Sequence, residues 1–268
     1  DVIKDGLVIS DVANDTGDTG NQFVWIPVDD MSTFVREAGY NKEEIQTSDF
    51  EKCSEPYEYN LSEKQEYENM MASVEEYKGF YIGRYEISKS EDGLAKAQSK
   101  RGKSPWVNIK FGNSMTETDG GIVEKARGMY PYRNDIRKGQ VVSTLTYGVA
   151  WDEIVRFLKT KDEYKNIDKD STGFGNAGIN CNSVGYDATN KVILTGSNEN
   201  YSLNNIYDIV GNVAEFTMEN YNNSTHINRG SGYNTSAYFF PISYRGGGAT
   251  TVTYSSSDLG GRVQLYIK

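Results

Sequence analysis

The run Gly211–Phe216 carries side chains suited to binding a metal ion. Asn212 and Glu215 place an amide oxygen and a carboxylate on a turn between two apolar segments, and Asp208 adds a carboxylate nearby. Ca²⁺ prefers carboxylate, amide and backbone oxygens of this kind. The pattern predicts a structural calcium site with Asn212, Val213 and Glu215 as ligands. The alternative is that Asn212 and Glu215 accept hydrogen bonds from backbone N–H groups and fix the turn.

The stretch Ile227–Asp258 has the composition of a binding loop. It contains no Lys, Glu, Gln, Met or Trp and consists mainly of Tyr, Phe, Ser, Thr, Gly and Asn. Tyr and Phe provide large rigid contacts at small entropic cost, and Ser, Gly and Asn provide adaptable hydrogen bonds. The predicted ligand-binding residues carry rings, hydroxyls or a charge: Tyr233, Tyr238, Phe239, Phe240, Tyr244, Arg245, Thr251, Thr253, Tyr254, Ser256 and Asp258. The alternative is the ordinary composition of loops between strands.

Residue counts and charge exclude several other functions. The single histidine, His226, rules out centres built on several imidazoles, and Cys53 and Cys181 are too few for a cysteine-rich zinc site. These cysteines form either one disulfide or two separate thiols, and we favour separate thiols. The net charge of -10 argues against nucleic acid as a partner, and no apolar run is long enough for membrane insertion. The segment Gly173–Gly178 matches G-x-G-x-x-G without a preceding strand, so we predict no organic cofactor.

Local patterns predict the elements that position these residues. Apolar runs predict strands at Phe23–Val28, Phe80–Ile87, Val213–Phe216, Tyr238–Phe240 and Val263–Ile267. A capping box at Ser62–Gln65 predicts a helix that ends near Tyr77, and apolar residues at three- and four-residue spacing predict a helix over Thr146–Lys159. We predict long loops over Ser90–Arg127. No internal repeat and no linker divides the chain, so we expect one domain over residues 1–268.

The chain resembles the formylglycine-generating-enzyme (sulfatase-modifying factor) family over segments that follow in the same order: Phe23–Val28, Gly79–Ser88, Tyr147–Leu158, Asn205–Thr217, Arg229–Gly232, Tyr244–Gly247 and Leu259–Val263. The family's G-N-V-W-E-W block corresponds to GNVAEF at Gly211–Phe216, and its terminal G-F-R to GGR at Gly260–Arg262. The resemblance implies an α+β, C-type-lectin-like fold with few helices, short antiparallel strands and much irregular structure. It also implies that Asn212 and Glu215 help to hold a structural calcium ion.

Departures from the family's motifs bear on catalysis. The family's oxidases bind copper through a cysteine pair near the C-terminus, whereas this chain has no cysteine after Cys181. The related sulfoxide synthases bind iron through several histidines, and this chain has one. The resemblance therefore implies a binding protein rather than an enzyme. Two alternatives stay open: an oxidase or other enzyme on the same scaffold, and a structural module of a pilus or phage tail.

The same scaffold resembles the variable proteins of diversity-generating retroelements. In that class the binding residues lie shortly before the C-terminus and arise by mutagenesis of adenines, mainly in Asn-type codons, which cannot yield Lys, Glu, Gln, Met or Trp. This implies a variable ligand-binding region over residues 227–262. We expect an extracellular or surface-displayed protein of a bacterium or phage that binds a protein or glycan on a cell or phage surface. Because the chain begins at Asp1 rather than Met, we expect an N-terminal signal or anchor outside the sequence.

Overall fold

The computed structural model of the protein describes residues 2–16, 19–38, 61–112, 120–133, 137–178, 191–222, 225–246 and 251–268. The strands are β1 (Val8–Ser10), β2 (Gln22–Pro27), β3 (Gly79–Gly83), β4 (Ser88–Lys89), β5 (Ala97–Gln98), β6 (Val141–Leu145), β7 (Ser202–Leu203), β8 (Ile206–Tyr207), β9 (Ala214–Asn222), β10 (Thr225–Arg229), β11 (Arg245–Gly246), β12 (Leu259–Gly261) and β13 (Val263–Ile267). The α-helices are α1 (Leu61–Tyr77), α2 (Ile122–Arg127) and α3 (Gly148–Lys159), and 3-10 turns cover Asp162–Tyr164 and Glu199–Tyr201. The fold is α+β, mostly sheet with few helices, as predicted.

A five-stranded antiparallel sheet holds both ends of the described chain. Its strand order is β1-β2-β3-β13-β6, so the last strand lies inside the sheet. Val263 of β13 faces Leu145 of β6, and Leu265 faces Tyr81 of β3. Because β13 is paired on both sides, its backbone N–H and C=O groups are satisfied without solvent.

A four-stranded sheet carries the segment that was predicted to bind a ligand. Its order is β11-β10-β9-β12, and β12 runs parallel to β9 while the other neighbours are antiparallel. Only Arg262 separates β12 from β13, so the chain passes from one sheet to the other at this residue. β4 and β5 form one separate two-stranded ladder, and β7 and β8 form another.

Helix α3 lies in the core against β2 and β9. Its apolar stripe is fully covered, and Trp151 has no exposed surface. Two acidic residues of the same helix, Asp152 and Glu153, are also buried. A buried carboxylate requires a partner of opposite charge or several hydrogen-bond donors, so α3 must bring charged groups into the interior.

The structure confirms the helices predicted to end near Tyr77 and to cover Thr146–Lys159. It differs in several places. The predicted strand Phe80–Ile87 ends at Gly83, and the predicted strand Val213–Phe216 is the start of β9, which continues to Asn222. Tyr238–Phe240 is not a strand, because residues 237–239 form a turn. Ile122–Arg127 is a helix within a predicted loop region, and its single buried face is too short to show periodicity. Within the described residues, every helix is too short or too polar to cross a bilayer.

Candidate ligand-binding face

Three aromatic side chains project from the loops between β10 and β12. Tyr238 is 44% exposed, Phe239 59% and Tyr254 40%. The rings of Tyr238 and Phe239 meet edge to face, with centroids 5.2 Å apart. We call residues 231–244 the first loop and residues 251–258 the second loop, and the three rings together are the aromatic face. Exposed aromatic rings, such as the adjacent pair Tyr238 and Phe239, are frequent anchors of protein-binding surfaces.

The base of the first loop is fixed to the core by hydrogen bonds on both sides of Ile242. The Ile242 N–H donates to Ser171 Oγ at 2.8 Å, and its carbonyl accepts from Trp151 Nε1 at 2.8 Å. The adjacent Ser243 hydroxyl donates to the Asp168 carbonyl at 2.5 Å. Ile242 and Ser243 are themselves buried. The loop therefore presents its rings from a fixed base, which lowers the entropic cost of binding.

The other predicted aromatic residues support the exposed ones. Phe240 and Tyr244 are half-buried, and their rings meet edge to face at 4.7 Å. Tyr233 is also half-buried, and its N–H donates to the Asn212 carbonyl at 2.9 Å. Tyr233, Phe240 and Tyr244 therefore each keep part of their surface exposed to solvent.

The second loop rests on the segment 108–112 and is joined to the first loop by a side-chain contact. The Asn108 N–H donates to the Ser256 carbonyl at 2.9 Å. Asn234 Nδ2 of the first loop donates to Asp258 Oδ2 at 2.9 Å, and the Ser256 hydroxyl donates to the other oxygen of Asp258. Asp258 and Ser256 are half-buried and fix the relative position of the two loops.

The hydroxyls predicted in the second loop are open to solvent. Thr251 and Thr253 are exposed, and their hydroxyl oxygens lie 3.3 Å apart. The Tyr254 N–H donates to the Thr251 carbonyl at 2.9 Å, which closes a turn under the Tyr254 ring. The second loop thus offers one ring and two hydroxyls on a hydrogen-bonded turn.

Arg245 is not on the aromatic face, which corrects its prediction as a ligand contact. Its side chain is fully buried. Its Nε donates to Glu219 Oε1 at 2.9 Å, and its Nη2 donates to Asp152. Arg245 follows directly on the first loop and therefore holds the end of that loop in the interior. Its guanidinium group bonds to buried acidic side chains of the interior.

Arg245 belongs to a buried ionic network that joins α3, β9, β10 and β11. Glu219 also accepts from Arg229 Nη1 at 3.0 Å and from Arg36 Nη1 at 3.1 Å, and Asp152 accepts from Arg229 Nη2 at 2.5 Å. Burial alone would raise the pKa of Glu219, but the three guanidinium groups outweigh it and lower the pKa to about 2. Glu219 is therefore ionised at neutral pH, and each hydrogen bond of the network joins an arginine to an acidic side chain.

The residues predicted to hold calcium do not fit such an ion. Both oxygens of Glu215 accept from the Arg262 guanidinium, with Nη2 to Oε1 at 2.7 Å. Asn212 Oδ1 accepts from the Ile193 N–H at 2.9 Å, and the Val213 N–H donates to Glu86 Oε1 at 3.1 Å. A guanidinium therefore provides the cation that Glu215 requires. Asn212 accepts from a backbone N–H, as the alternative interpretation of this motif predicts.

Glu86 and Asp208 are buried beside this motif. Asn212 Nδ2 donates to Glu86 Oε2 at 2.6 Å, and the Gly196 N–H donates to Asp208 Oδ2 at 2.8 Å. Burial, reinforced by the charges of Asp208 and Glu215, raises the pKa of Glu86 well above its ordinary value. Burial raises the pKa of Asp208 to about 6. Both acids are enclosed in the interior, so their shifted pKa values reflect packing rather than a substrate pocket.

The ionic network was missed at the sequence level. Arg229 and Arg245 bond to Asp152 across 77 and 93 residues of chain, and no local spacing relates these positions. One feature of the sequence could have indicated buried arginines: Ile227–Asp258 contains two arginines, Arg229 and Arg245, and no lysine. Both cysteines lie outside the described residues, so the prediction of separate thiols stays a prediction.

Solved structures that resemble this chain include two that cover about 70% of it. No family model and no curated protein matches the sequence. Treponema denticola variable protein 1 is 16% identical, with a TM-score of 0.42 over 70% of this chain and 84% of that chain. The crystal structure of CarF is 14% identical, with a TM-score of 0.39 over 71% of this chain and 87% of that chain.

Proposed function

We propose that the protein is a non-catalytic binding protein that holds its partner with the aromatic face. The observation that carries this proposal is the exposure of Tyr238, Phe239 and Tyr254 on loops whose bases are bound to the core. Large apolar rings are costly to keep in water, and burying one in an interface contributes roughly 1.5–3 kcal/mol. Rings on a fixed base add this energy with little loss of conformational entropy.

The chemistry of the two loops favours a partner surface without strong charge. Only two residues of the range 231–258 carry a formal charge. Arg245 is buried in the ionic network, and Asp258 is bonded to Asn234 and Ser256. Among the described residues of the two loops, the polar and aromatic groups that face solvent are rings, hydroxyls and the Asn234 amide. We therefore expect an apolar patch of a protein, or a glycan, as the partner, with affinity that changes less than about threefold between 50 and 500 mM NaCl.

The further proposals are that the protein is displayed on a bacterial or phage surface and that residues 227–262 vary through a diversity-generating retroelement. The exposed loop residues are suited to variation, because their side chains are not part of the core. The neighbouring DNA tests this directly. A reverse-transcriptase gene beside a near-copy of the 3′ coding end supports variation. A locus that has neither of these elements contradicts it.

A binding array tests the ligand-binding role. The full chain is applied to arrays of surface proteins and glycans, beside a variant with Tyr238→Ser, Phe239→Ser and Tyr254→Ser. The control is Leu194→Ser, because Leu194 is 49% exposed and lies outside both loops. We expect spots bound by the wild type and the control to be lost with the triple variant. Equal binding by all three proteins would place the partner on another surface and overturn the proposal.

A further inference from the structure

A cleft of about 690 Å³ lies on another part of the molecule. Its walls come from α1, the β4–β5 turn, α2, and the strands β6 and β13. Small-molecule sites in proteins usually enclose about 300–1,000 Å³. The cleft therefore has the size of a small-ligand site, and no residue of either binding loop lines it.

Apolar groups form one part of the cleft wall. Leu94, at the β4–β5 turn, is 62% exposed, and Tyr132 is 46% exposed. Tyr266 of β13 is buried below them and also lines the cleft. An exposed leucine and an exposed tyrosine beside the same cleft offer contact area to the body of an organic molecule.

The charges that a ligand would meet in the cleft are positive. Lys96 and Lys125 both line it, and neither has a carboxylate within 4.0 Å among the described residues. The acidic wall residue Glu66 is already bonded by Arg127, whose Nε donates to Glu66 Oε2 at 3.0 Å. The two oxygens of Glu124 are shielded from solvent, and burial raises the pKa of this group. Lys125 Nζ lies 5.8 Å from the centroid of the Trp106 ring, a contact that leaves its positive charge without a carboxylate partner. The cleft thus holds two lysines without an acidic partner in a chain of net charge -10.

We propose that this cleft binds a small organic anion, a carboxylate or sulfonate with a planar apolar body. Lys96 and Lys125 pair with the anionic group, and Leu94 and Tyr132 contact the apolar body. Charge pairing supplies the selection for an anion, and the apolar wall supplies contact area. This site is separate from the aromatic face, so the inference does not depend on the proposed function.

The test uses 8-anilinonaphthalene-1-sulfonate, a fluorescent aromatic sulfonate, titrated into the full chain. The variant is Lys96→Gln with Lys125→Gln, and the control is Lys4→Gln with Lys165→Gln, two exposed lysines away from the cleft. We expect the cleft variant to bind the dye about tenfold more weakly and the control to match the wild type. Thermal melting of each variant shows whether the fold is retained. Equal dye affinity in the cleft variant would overturn the proposal.

Two further arms separate the alternatives. Because the dye also favours exposed rings, Phe239→Ser with Tyr254→Ser is titrated in parallel. Loss of dye binding in this variant alone assigns the dye to the aromatic face and overturns the cleft proposal, while the proposed function stands. In the second arm, naphthalene-2-sulfonate and the neutral 2-naphthol compete with the dye. We expect the sulfonate to compete about tenfold better, and equal competition would contradict recognition of the anion.

Discussion

Replacing Arg245 by methionine separates a core role from a ligand-contacting role. The substitution keeps an unbranched side chain of similar length but removes the guanidinium. It deletes the bonds to Glu219 Oε1 and to Asp152 at the centre of the ionic network. Both carboxylates are fully buried, so solvent does not replace the lost donors.

The expected cost follows from what remains in the network. Breaking a buried ion pair costs about 3–5 kcal/mol. In the variant, Glu219 keeps Arg36 and Arg229, and Asp152 keeps Arg229 and the Glu37 N–H at 2.8 Å. Two guanidinium groups still face two carboxylates, which places the loss near the lower limit, at about 3 kcal/mol. At roughly 2–4 °C per kcal/mol, the melting temperature falls by roughly 6–12 °C.

Urea denaturation and thermal melting measure this loss. Arg137→Met is the matched control, because Arg137 is exposed and has no carboxylate partner among the described residues. We expect the control to stay within about 0.5 kcal/mol of the wild type. An Arg245→Met protein that keeps wild-type stability would refute the claim that Arg245 stabilises the fold through the ionic network. Arg245 would then again be a candidate ligand contact.

Three other predictions concern the buried polar groups. Burial raises the pKa of Asp208 to about 6 and that of Glu153 to about 7, and the pKa of Glu219 is lowered to about 2. Stability should therefore rise as the pH falls from 8 to 5 and decline below about pH 4. Asp208→Asn should reduce the first rise without abolishing it, because Glu153 also contributes, and a wild-type stability that falls steadily from pH 8 to 5 would contradict the prediction. Burial lowers the pKa of His226 to about 3, so the NMR signal of this single imidazole should stay constant from pH 8 to 5, whereas a midpoint near 6.5 would show that it is solvated. Since Arg262 occupies both oxygens of Glu215, EDTA should shift the melting temperature by less than about 1 °C; a clear fall that added Ca²⁺ reverses would restore the calcium site.

Local periodicity was enough to predict three elements, whereas β9 continues to Asn222, beyond the predicted Val213–Phe216. The helix α3 and the strands β2 and β13 each have an apolar pattern that is complete within the element. The conformation of the first loop was harder to predict, because the apolar triplet Tyr238–Phe240 has the composition of a strand but lies in a turn. Whether such a triplet pairs with another strand depends on neighbours that the local sequence does not specify.

The site could be predicted only in part, because burial is decided by distant partners. The exposed rings follow from the composition of the loops, as Phe239 and Tyr254 show. Arg245 has the residue type of a polar contact, but its partners lie on α3 and β9. Glu215 has the residue type of a metal ligand, but Arg262, 47 residues further along, supplies its cation. A motif of oxygen ligands does not reveal which cation satisfies it.

The most direct test of the aromatic face measures affinity and melting on the same protein sample. Once an array partner is known, Phe239→Ala and Tyr254→Ala are each titrated calorimetrically against it. Each ring is exposed and makes few contacts with the core, so the melting temperature should change by less than about 2 °C. Loss of a ring that contributes about 2 kcal/mol should weaken binding about thirtyfold. Unchanged affinity, or a fall of 10 °C or more on the scale of Arg245→Met, would contradict a binding face made of these rings.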